Sequence, residues 1–181
     1  MDNPTNPEIK VLLSERKIQA RVQELARTIS ADYADETADG TEILVIGVLK
    51  GAFIFMADLT RALDIPRRID FMAVASYDQG AHSSGTVRLV MDVRQPIEDR
   101  HVLLVEDIVD SGRTMDYLIE LFRARQPASL RTCALVQKEG REPYPLDYLG
   151  FTIPDEWVVG YGLDWDERLR TLPYIGAIQV D

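Results

Sequence analysis

The sequence predicts an α/β fold: a doubly wound, mainly parallel sheet with helices on both faces and a small C-terminal hood. Two observations support this prediction. Short apolar, β-branched segments alternate with amphipathic stretches through the middle of the chain, as they do in βαβ units. Beyond Gly140 this alternation gives way to prolines and aromatic residues, which is typical of a more irregular segment.

The first predicted elements are a helix, a strand and a second helix. Residues 14–35 have apolar positions at spacings of three and four, which indicates an amphipathic helix: Ile18, Val22, Leu25 and Ile29. Residues 42–49 are apolar and β-branched, as in a strand that is covered on both faces. Residues 52–63 have the length and spacing of a helix, and Pro66 follows its end.

The rest of the predicted core contains four strands and one helix. We expect the strands at residues 70–76, 86–92, 101–105 and 130–136, and the helix at residues 114–126. The polar residues 77–85 lack periodicity, and we expect a mobile loop there. Ligands of such sheets gather beyond the carboxyl ends of the strands. This rule directs attention to Lys50, Glu106 and Lys138, where three predicted strands end.

Length, charge and cysteine content narrow the classes of protein. A chain of 181 residues predicts one domain over residues 1–181, with a core at about 36–140 and a hood from residues 141–181 plus the N-terminal segment. The net charge of -10 opposes long-range attraction to nucleic acid or an anionic membrane. Cys133 stands alone in an apolar run, which indicates a buried thiol. Residues 1–10 lack the features of a signal peptide, so we expect a cytoplasmic protein.

Residues 105–114 carry the most informative pattern. Glu106 and Asp107 are adjacent acids that follow a hydrophobic strand, and Asp110 comes three residues later. Three carboxylates this close would repel one another unless a cation or hydroxyl groups were bound among them. Vicinal hydroxyls and Mg²⁺, which prefers carboxylate oxygens, both suit such a cluster.

The turn that follows these acids suits a phosphate monoester. It leads into a helix, whose first backbone NH groups attract anions. Ser111 and Thr114 add hydroxyls, and Gly112 permits close approach of a ligand. Considered without the preceding acids, the turn has an alternative interpretation as the ordinary capped start of a helix. Neither a Walker-type loop nor a dinucleotide-binding fingerprint is present.

Residues 105–114 resemble the ribose-phosphate signature of the type I phosphoribosyltransferases, and the chain from about Ser14 onward resembles their hypoxanthine-guanine branch. The resemblance implies that Glu106 and Asp107 engage the ribose hydroxyls of phosphoribosyl pyrophosphate directly or through metal-bound water. It implies a loop for the 5-phosphate formed by Asp110, Ser111, Gly112, Arg113 and Thr114. It also implies that Asp110 takes a proton from the purine.

The same resemblance implies a pyrophosphate site and a closing loop. Lys50 and Gly51 match the pyrophosphate loop, in which a strained peptide turns backbone NH groups toward the leaving group. Arg170 matches a basic residue that approaches the pyrophosphate. Ser76 and Tyr77 match the start of the flexible loop that closes over the site. Judged without the resemblance, Lys50 and Arg170 are most simply solvated charges.

The base site is implied by residues near the C-terminus. Lys138 matches the lysine that donates a hydrogen bond to the purine 6-oxo group, and a lysine cannot accept one from a 6-amino group. Trp157 matches the residue that stacks on the base, and Val158 the one that meets it through its backbone. Asp164 matches an acid that holds Mg²⁺ together with Glu106 and Asp107. The alternative for Trp157 is a core aromatic residue.

The activity implied is purine salvage, in which hypoxanthine or guanine, a 6-oxopurine base, receives the phosphoribosyl group and IMP or GMP is released with pyrophosphate. The resemblance further implies a homodimer or homotetramer. An alternative is a regulator that senses phosphoribosyl pyrophosphate and binds nucleic acid. Such a regulator could lose Lys138 or Asp110, whereas this sequence keeps both. It also lacks the basic stripe expected of a nucleic-acid-binding protein. A transferase for xanthine or a pyrimidine would differ only in its base contacts.

Overall fold

The structure is a computed structural model that describes residues 7–76, 87–139 and 143–179. Within these residues the elements follow in chain order: β1 (Ile9–Leu13), α1 (Glu15–Asp32), β2 (Ile43–Leu49), α2 (Phe53–Ala62), β3 (Arg67–Ser76), β4 (Val87–Met91), β5 (His101–Val109), α3 (Arg113–Arg123), β6 (Ser129–Lys138), β7 (Tyr148–Ile153), β8 (Trp157–Val159) and β9 (Ile175–Ile178). The predicted loop at residues 77–85 lies outside the described residues.

The main sheet has the strand order β4-β3-β2-β5-β6-β7, and its neighbours are parallel except for β4, which runs antiparallel to β3. Helices cover both faces. One core contains Ile18 of α1 and Phe55 of α2, and the other contains Phe122 of α3. Successive strand residues face opposite sides, so Leu103 enters the first core and Leu104 the second. The predicted doubly wound, mainly parallel α/β fold is confirmed.

Two strands extend further at their carboxyl ends than the sequence predicted. β5 continues to Val109, beyond the expected end at residue 105, because its ladder with β6 is unbroken there: Glu106 pairs with Ala134 and Ile108 with Val136. Likewise, β6 continues to Lys138. The two adjacent acids therefore lie inside a strand instead of following it. Charged residues look like a strand end in sequence, but backbone pairing with a neighbour can hold them in the sheet.

The C-terminal residues divide between two sheets. β8 and β9 form a small antiparallel sheet with β1, in the order β1-β9-β8. β7, which the sequence analysis assigned to the hood, instead pairs in parallel with β6 in the main sheet. Similarly, α1 packs against α2 and β7, so the N-terminal segment contributes to the core as well as to the small sheet. The assignment of a single domain over residues 1–181 stays a prediction.

Two expectations about individual segments can be compared with the structure. Cys133 is buried in β6, and burial raises the pKa of its thiol, as expected for an unreactive core residue. Among the described residues, none of the helices is both long enough and apolar enough to cross a membrane.

Asp58 connects three separate parts of the fold. Its Oδ2 accepts hydrogen bonds from Tyr161 Oη at 2.6 Å and from Gln19 Nε2 at 2.8 Å, and Arg61 pairs with its other oxygen. Only 13% of the Asp58 side chain is exposed. Burial opposes ionisation, but the hydrogen bonds from Tyr161, Gln19 and Arg61 outweigh it and lower the pKa of Asp58. The carboxylate thereby ties α1 and α2 to the segment after β8.

We predict that Asp58→Asn lowers the free energy of unfolding by about 1–3 kcal/mol at pH 7, since it replaces charge-assisted hydrogen bonds with neutral ones. Because the pKa of Asp58 is lower in the folded state, its contribution is present above the ordinary aspartate pKa and is lost as pH falls through the folded value. Urea unfolding at pH 7 and near pH 3 measures the difference between the variant and the parent. A difference that does not shrink in acid would contradict this assignment.

Candidate active site

Three neighbouring strands end at the same edge of the main sheet, and each brings a predicted residue there. Lys50 follows β2, Asp110 follows β5, and Lys138 is the last residue of β6. β5 lies between β2 and β6. These residues therefore meet at the carboxyl edge of a parallel sheet, where functional residues commonly gather, and this edge is the candidate site.

The predicted phosphate loop lines a cavity of about 300 Å³. The walls of the cavity are Val87, Glu106, Ile108, Val109, Asp110, Ser111, Gly112, Arg113, Thr114 and Met115. Gly112 stands at the N-cap of α3 with φ of +79°, a left-handed conformation that glycine adopts at little cost. The turn and the first residues of α3 thus line a concave surface, and the NH groups at a helix N-terminus favour a phosphate.

Tyr144 is a contact of this loop that sequence reasoning missed. A Cβ added at Gly112 would lie 2.6 Å from the Tyr144 ring, so the ring packs directly on the glycine. The Tyr144 hydroxyl donates a hydrogen bond to Asp116 Oδ1 of α3 at 2.6 Å. A proline-rich stretch in the sequence gives no indication that its tyrosine packs on a turn some 30 residues earlier.

Glu106 and Asp107 are both buried in β5. Burial raises the pKa of Glu106, and the neighbouring Asp107 charge adds to the effect. Burial also raises the pKa of Asp107, although hydrogen bonds and the charge of Arg170 act in the opposite direction. Within the described part of the chain, Glu106 Oε2 is buried and has no hydrogen-bond partner. A buried acceptor in this position is suited to a hydroxyl donor or a cation.

The predicted pyrophosphate loop packs on these acids. The peptide bond between Leu49 and Lys50 is cis. A Cβ at Gly51 would overlap the Asp107 carboxylate, so only glycine fits there. Gly162 lies against the Gly51 carbonyl, and the Gly162 carbonyl in turn accepts a hydrogen bond from Arg170 NH1 at 2.8 Å. Gly51, Asp107 and Arg170 are therefore close neighbours, although they are widely separated in sequence.

Lys50 and Arg170 share one carboxylate. Glu167 Oε2 lies 2.9 Å from Lys50 Nζ and 3.2 Å from Arg170 NH2. The hydrogen bond from Lys50, followed by that from Arg170, lowers the pKa of Glu167. Sequence reasoning did not single out Glu167, which lies in a run of charged residues at 164–170. Its position shows that the two cations are close enough to bind a single anion.

The three predicted metal ligands do not form a ready-made cage. Asp164 Oδ1 pairs with Arg170 NH2 at 2.8 Å, and its Oδ2 accepts a hydrogen bond from the Glu167 backbone NH at 2.8 Å. Across residues 7–76, 87–139 and 143–179, no group of three or more Asp, Glu, His or Cys side chains is close enough to hold a metal ion. Mg²⁺ commonly retains water and takes phosphate oxygens from a substrate, so it does not need such a cage.

The residues expected to recognise the base lie at the end of β6 and at the start of β8. Lys138 Nζ lies 3.1 Å from Asp155 Oδ1 and 4.0 Å from Asp110 Oδ2. Trp157 is 55% exposed, which excludes the alternative that it is a core aromatic residue. Val158 is buried in β8. Ser76 ends β3, and Tyr77 lies outside the described residues.

Comparisons with known proteins agree with this architecture. The protein-family model described as the phosphoribosyl transferase domain matches residues 10–166 of this sequence. The chain is 48% identical over 171 residues to hypoxanthine-guanine phosphoribosyltransferase of Mycobacterium avium, covering 93% of this chain and 84% of that protein. It is 46% identical over 172 residues to the enzyme of the same name from Bacillus subtilis, covering 94% and 93%.

A solved structure extends the agreement to three dimensions. Hypoxanthine phosphoribosyltransferase of Trypanosoma cruzi, in complex with the product IMP, matches with a TM-score of 0.84 at 40% identity, covering 99% of this chain and 98% of that one. A family match over most of the sequence and a shared fold thus accompany the site described above. The chain belongs to the type I phosphoribosyltransferase family, in its hypoxanthine-guanine branch.

Proposed function

We propose that this protein transfers the 5-phosphoribosyl group of phosphoribosyl pyrophosphate to hypoxanthine, guanine or both, and releases IMP or GMP with pyrophosphate. The observation that carries the proposal is the approach of Lys138 Nζ to within 4.0 Å of Asp110 Oδ2. This approach puts the residue expected to recognise a 6-oxo group beside the acid that opens the phosphate cavity. Relatives that share almost the whole chain are named as enzymes of this activity.

The ribose 5-phosphate is held by the loop that begins α3. Backbone NH groups around Gly112 and the hydroxyls of Ser111 and Thr114 supply donors for the phosphate oxygens. The buried acids of β5 face the ribose hydroxyls, for which the unpartnered Glu106 Oε2 is an available acceptor. Arg113 adds a positive charge at the same loop.

The base is held by stacking and by one selective hydrogen bond. The exposed face of Trp157 provides the stacking surface, and Val158 meets the purine through its backbone. Lys138 donates to the 6-oxo oxygen and has no means of accepting a hydrogen bond from a 6-amino group. Asp110 takes the proton that the attacking ring loses as a ring nitrogen bonds to the anomeric carbon.

The leaving pyrophosphate is stabilised by Lys50, Arg170 and the backbone at Gly51. The two side chains already share the Glu167 carboxylate, so an incoming pyrophosphate would take the place of that internal anion. Negative charge on the leaving group grows as the bond to the sugar breaks. Cations that are already in position stabilise that charge with little reorganisation.

Magnesium belongs to the proposal as a partner of the pyrophosphate. Glu106, Asp107 and Asp164 would hold it together with substrate oxygens and water, and the unpartnered, buried Glu106 oxygen fits such a role. When bound, the ion would neutralise charge on the pyrophosphate. A cytoplasmic location and a homodimer or homotetramer complete the proposal.

We predict that the purified protein, given Mg²⁺ and phosphoribosyl pyrophosphate, forms nucleotide from hypoxanthine or guanine and far less from adenine or uracil. For adenine, the reason is that its 6-amino group gives Lys138 no acceptor, and loss of a matched polar contact can cost about 10⁴-fold in discrimination. Uracil lacks the second ring through which a purine stacks on Trp157. Chromatography of the products with each base in turn, including xanthine, makes the measurement. No nucleotide from any base would contradict the enzymatic function and favour the sensing regulator.

We predict that Asp110→Asn lowers turnover by about 10² to 10⁴-fold, because an asparagine cannot take up the purine proton. Binding of phosphoribosyl pyrophosphate should change little, since the NH groups and hydroxyls of the loop remain. Asp64→Asn is the matched control: this exposed acid precedes β3, at the opposite edge of the sheet. Steady-state rates at saturating substrates make the comparison, and turnover within a few-fold of the parent would rule out a general base at this position.

A further inference from the structure

The direction of the Lys138 ammonium group is set by its neighbours. Lysine carries its charge on a flexible four-carbon stem with rotatable donors, so the residue alone does not aim its hydrogen bonds. Only 15% of the Lys138 side chain is exposed, and a charge with so little access to water requires a partner. Asp155 Oδ1 supplies that partner at 3.1 Å, whereas Asp110 Oδ2 at 4.0 Å is beyond hydrogen-bond distance.

Asp155 is placed by the turn that joins β7 to β8. Ile153, the last residue of β7, stands opposite Lys138 in the parallel ladder, and its carbonyl accepts a hydrogen bond from the Glu139 NH at 2.7 Å. Two residues after Ile153 comes Asp155, and two residues later Trp157 begins β8. The same short turn therefore carries the partner of the lysine and the exposed aromatic ring.

Asp110 and Asp155 compete for the same ammonium group. If the Asp155 carboxylate were absent, Asp110 would be the remaining acid within 4.0 Å of Lys138 among the described residues. Attraction between opposite charges strengthens where water is largely excluded, so the ammonium would move toward Asp110. That shift would turn the lysine away from the base and engage the carboxylate that is needed as proton acceptor.

We propose that Asp155 is a positioning residue for purine recognition: it holds the Lys138 ammonium toward the 6-oxo group and keeps it from pairing with Asp110. This inference rests on the proposed function. Asp155 acts through Lys138 and does not touch the substrate. Its side chain is 59% exposed, so the pair remains open to an incoming base.

The test compares Asp155→Asn and Asp155→Ala with the parent and with Glu139→Gln. Glu139 is an exposed acid next to Lys138, so its variant changes the charge near the pocket by the same amount without touching the pair. The measurements are KM for hypoxanthine, KM for phosphoribosyl pyrophosphate, and the ratio of kcat/KM for hypoxanthine to that for adenine. We expect both Asp155 variants to raise KM for hypoxanthine about tenfold and to lower this ratio by a similar factor. That factor is about what the loss of one hydrogen bond to a charged group causes.

An effect on KM for hypoxanthine alone supports the inference, and an equal effect on KM for both substrates overturns it. KM for phosphoribosyl pyrophosphate should stay within about twofold of the parent in both variants, and Glu139→Gln should match the parent throughout. Asp155 does not position Lys138 if both KM for hypoxanthine and the hypoxanthine-to-adenine ratio of kcat/KM are unchanged. The same conclusion follows if KM rises equally for hypoxanthine and for phosphoribosyl pyrophosphate. Asparagine has the shape of aspartate, so Asp155→Asn still tests the role of the charge if Asp155→Ala lowers stability. An inactive parent contradicts the proposed function itself, whereas an active parent with unaffected variants contradicts only the role of Asp155.

Discussion

The backbone ladder between β5 and β6 is the constraint on which the site depends. It continues past the hydrophobic residues of β5 and holds Glu106 and Asp107 in the sheet, where burial raises the pKa of both acids. With the backbone fixed, the Asp107 carboxylate packs against Gly51 at the end of β2. The ladder ends at Val109, and Asp110 emerges there beside Lys138 of β6. The predicted phosphate loop begins at this point, so the relative position of this loop, Lys138 and Gly51 depends on where β5 stops pairing.

An acidic protein can bind a highly anionic substrate because its cations are arranged locally. Lys50, Arg170 and Lys138 are each paired with a carboxylate from the C-terminal part of the chain: Glu167, Asp164 and Asp155 respectively. These carboxylates hold the cations in place, and for the largely buried Lys138 and Arg170 they limit the cost of burying a charge. The net charge of -10 acts at long range, where salt screens it over about 8–10 Å.

The small sheet supports the residues that are proposed to bind the base. Trp157 and Val158 lie in β8, which pairs with β9, and β9 pairs with β1 at the other end of the chain. Tyr161, which follows β8, is tied by its hydroxyl to Asp58 on α2. The exposed Trp157 therefore lies on a segment that is fixed by backbone pairing and by a side-chain hydrogen bond. Such fixing lowers the entropic cost of binding a ligand there.

The sequence by itself determined the α/β class and the elements from α1 to β6, because hydrophobic periodicity and apolar runs are local properties that can be read in any window of the chain. It also predicted a candidate site at the carboxyl edge of the sheet. It also singled out the predicted phosphate loop, whose glycine, hydroxyl residues and acids are contiguous. Only the tertiary structure decided that Glu106 and Asp107 lie within β5, that β7 joins the main sheet, and that Tyr144, Asp155 and Glu167 reach the site. These outcomes arise from pairing between strands and from side chains that meet across long loops, and neither leaves a periodic signal in the residues that take part.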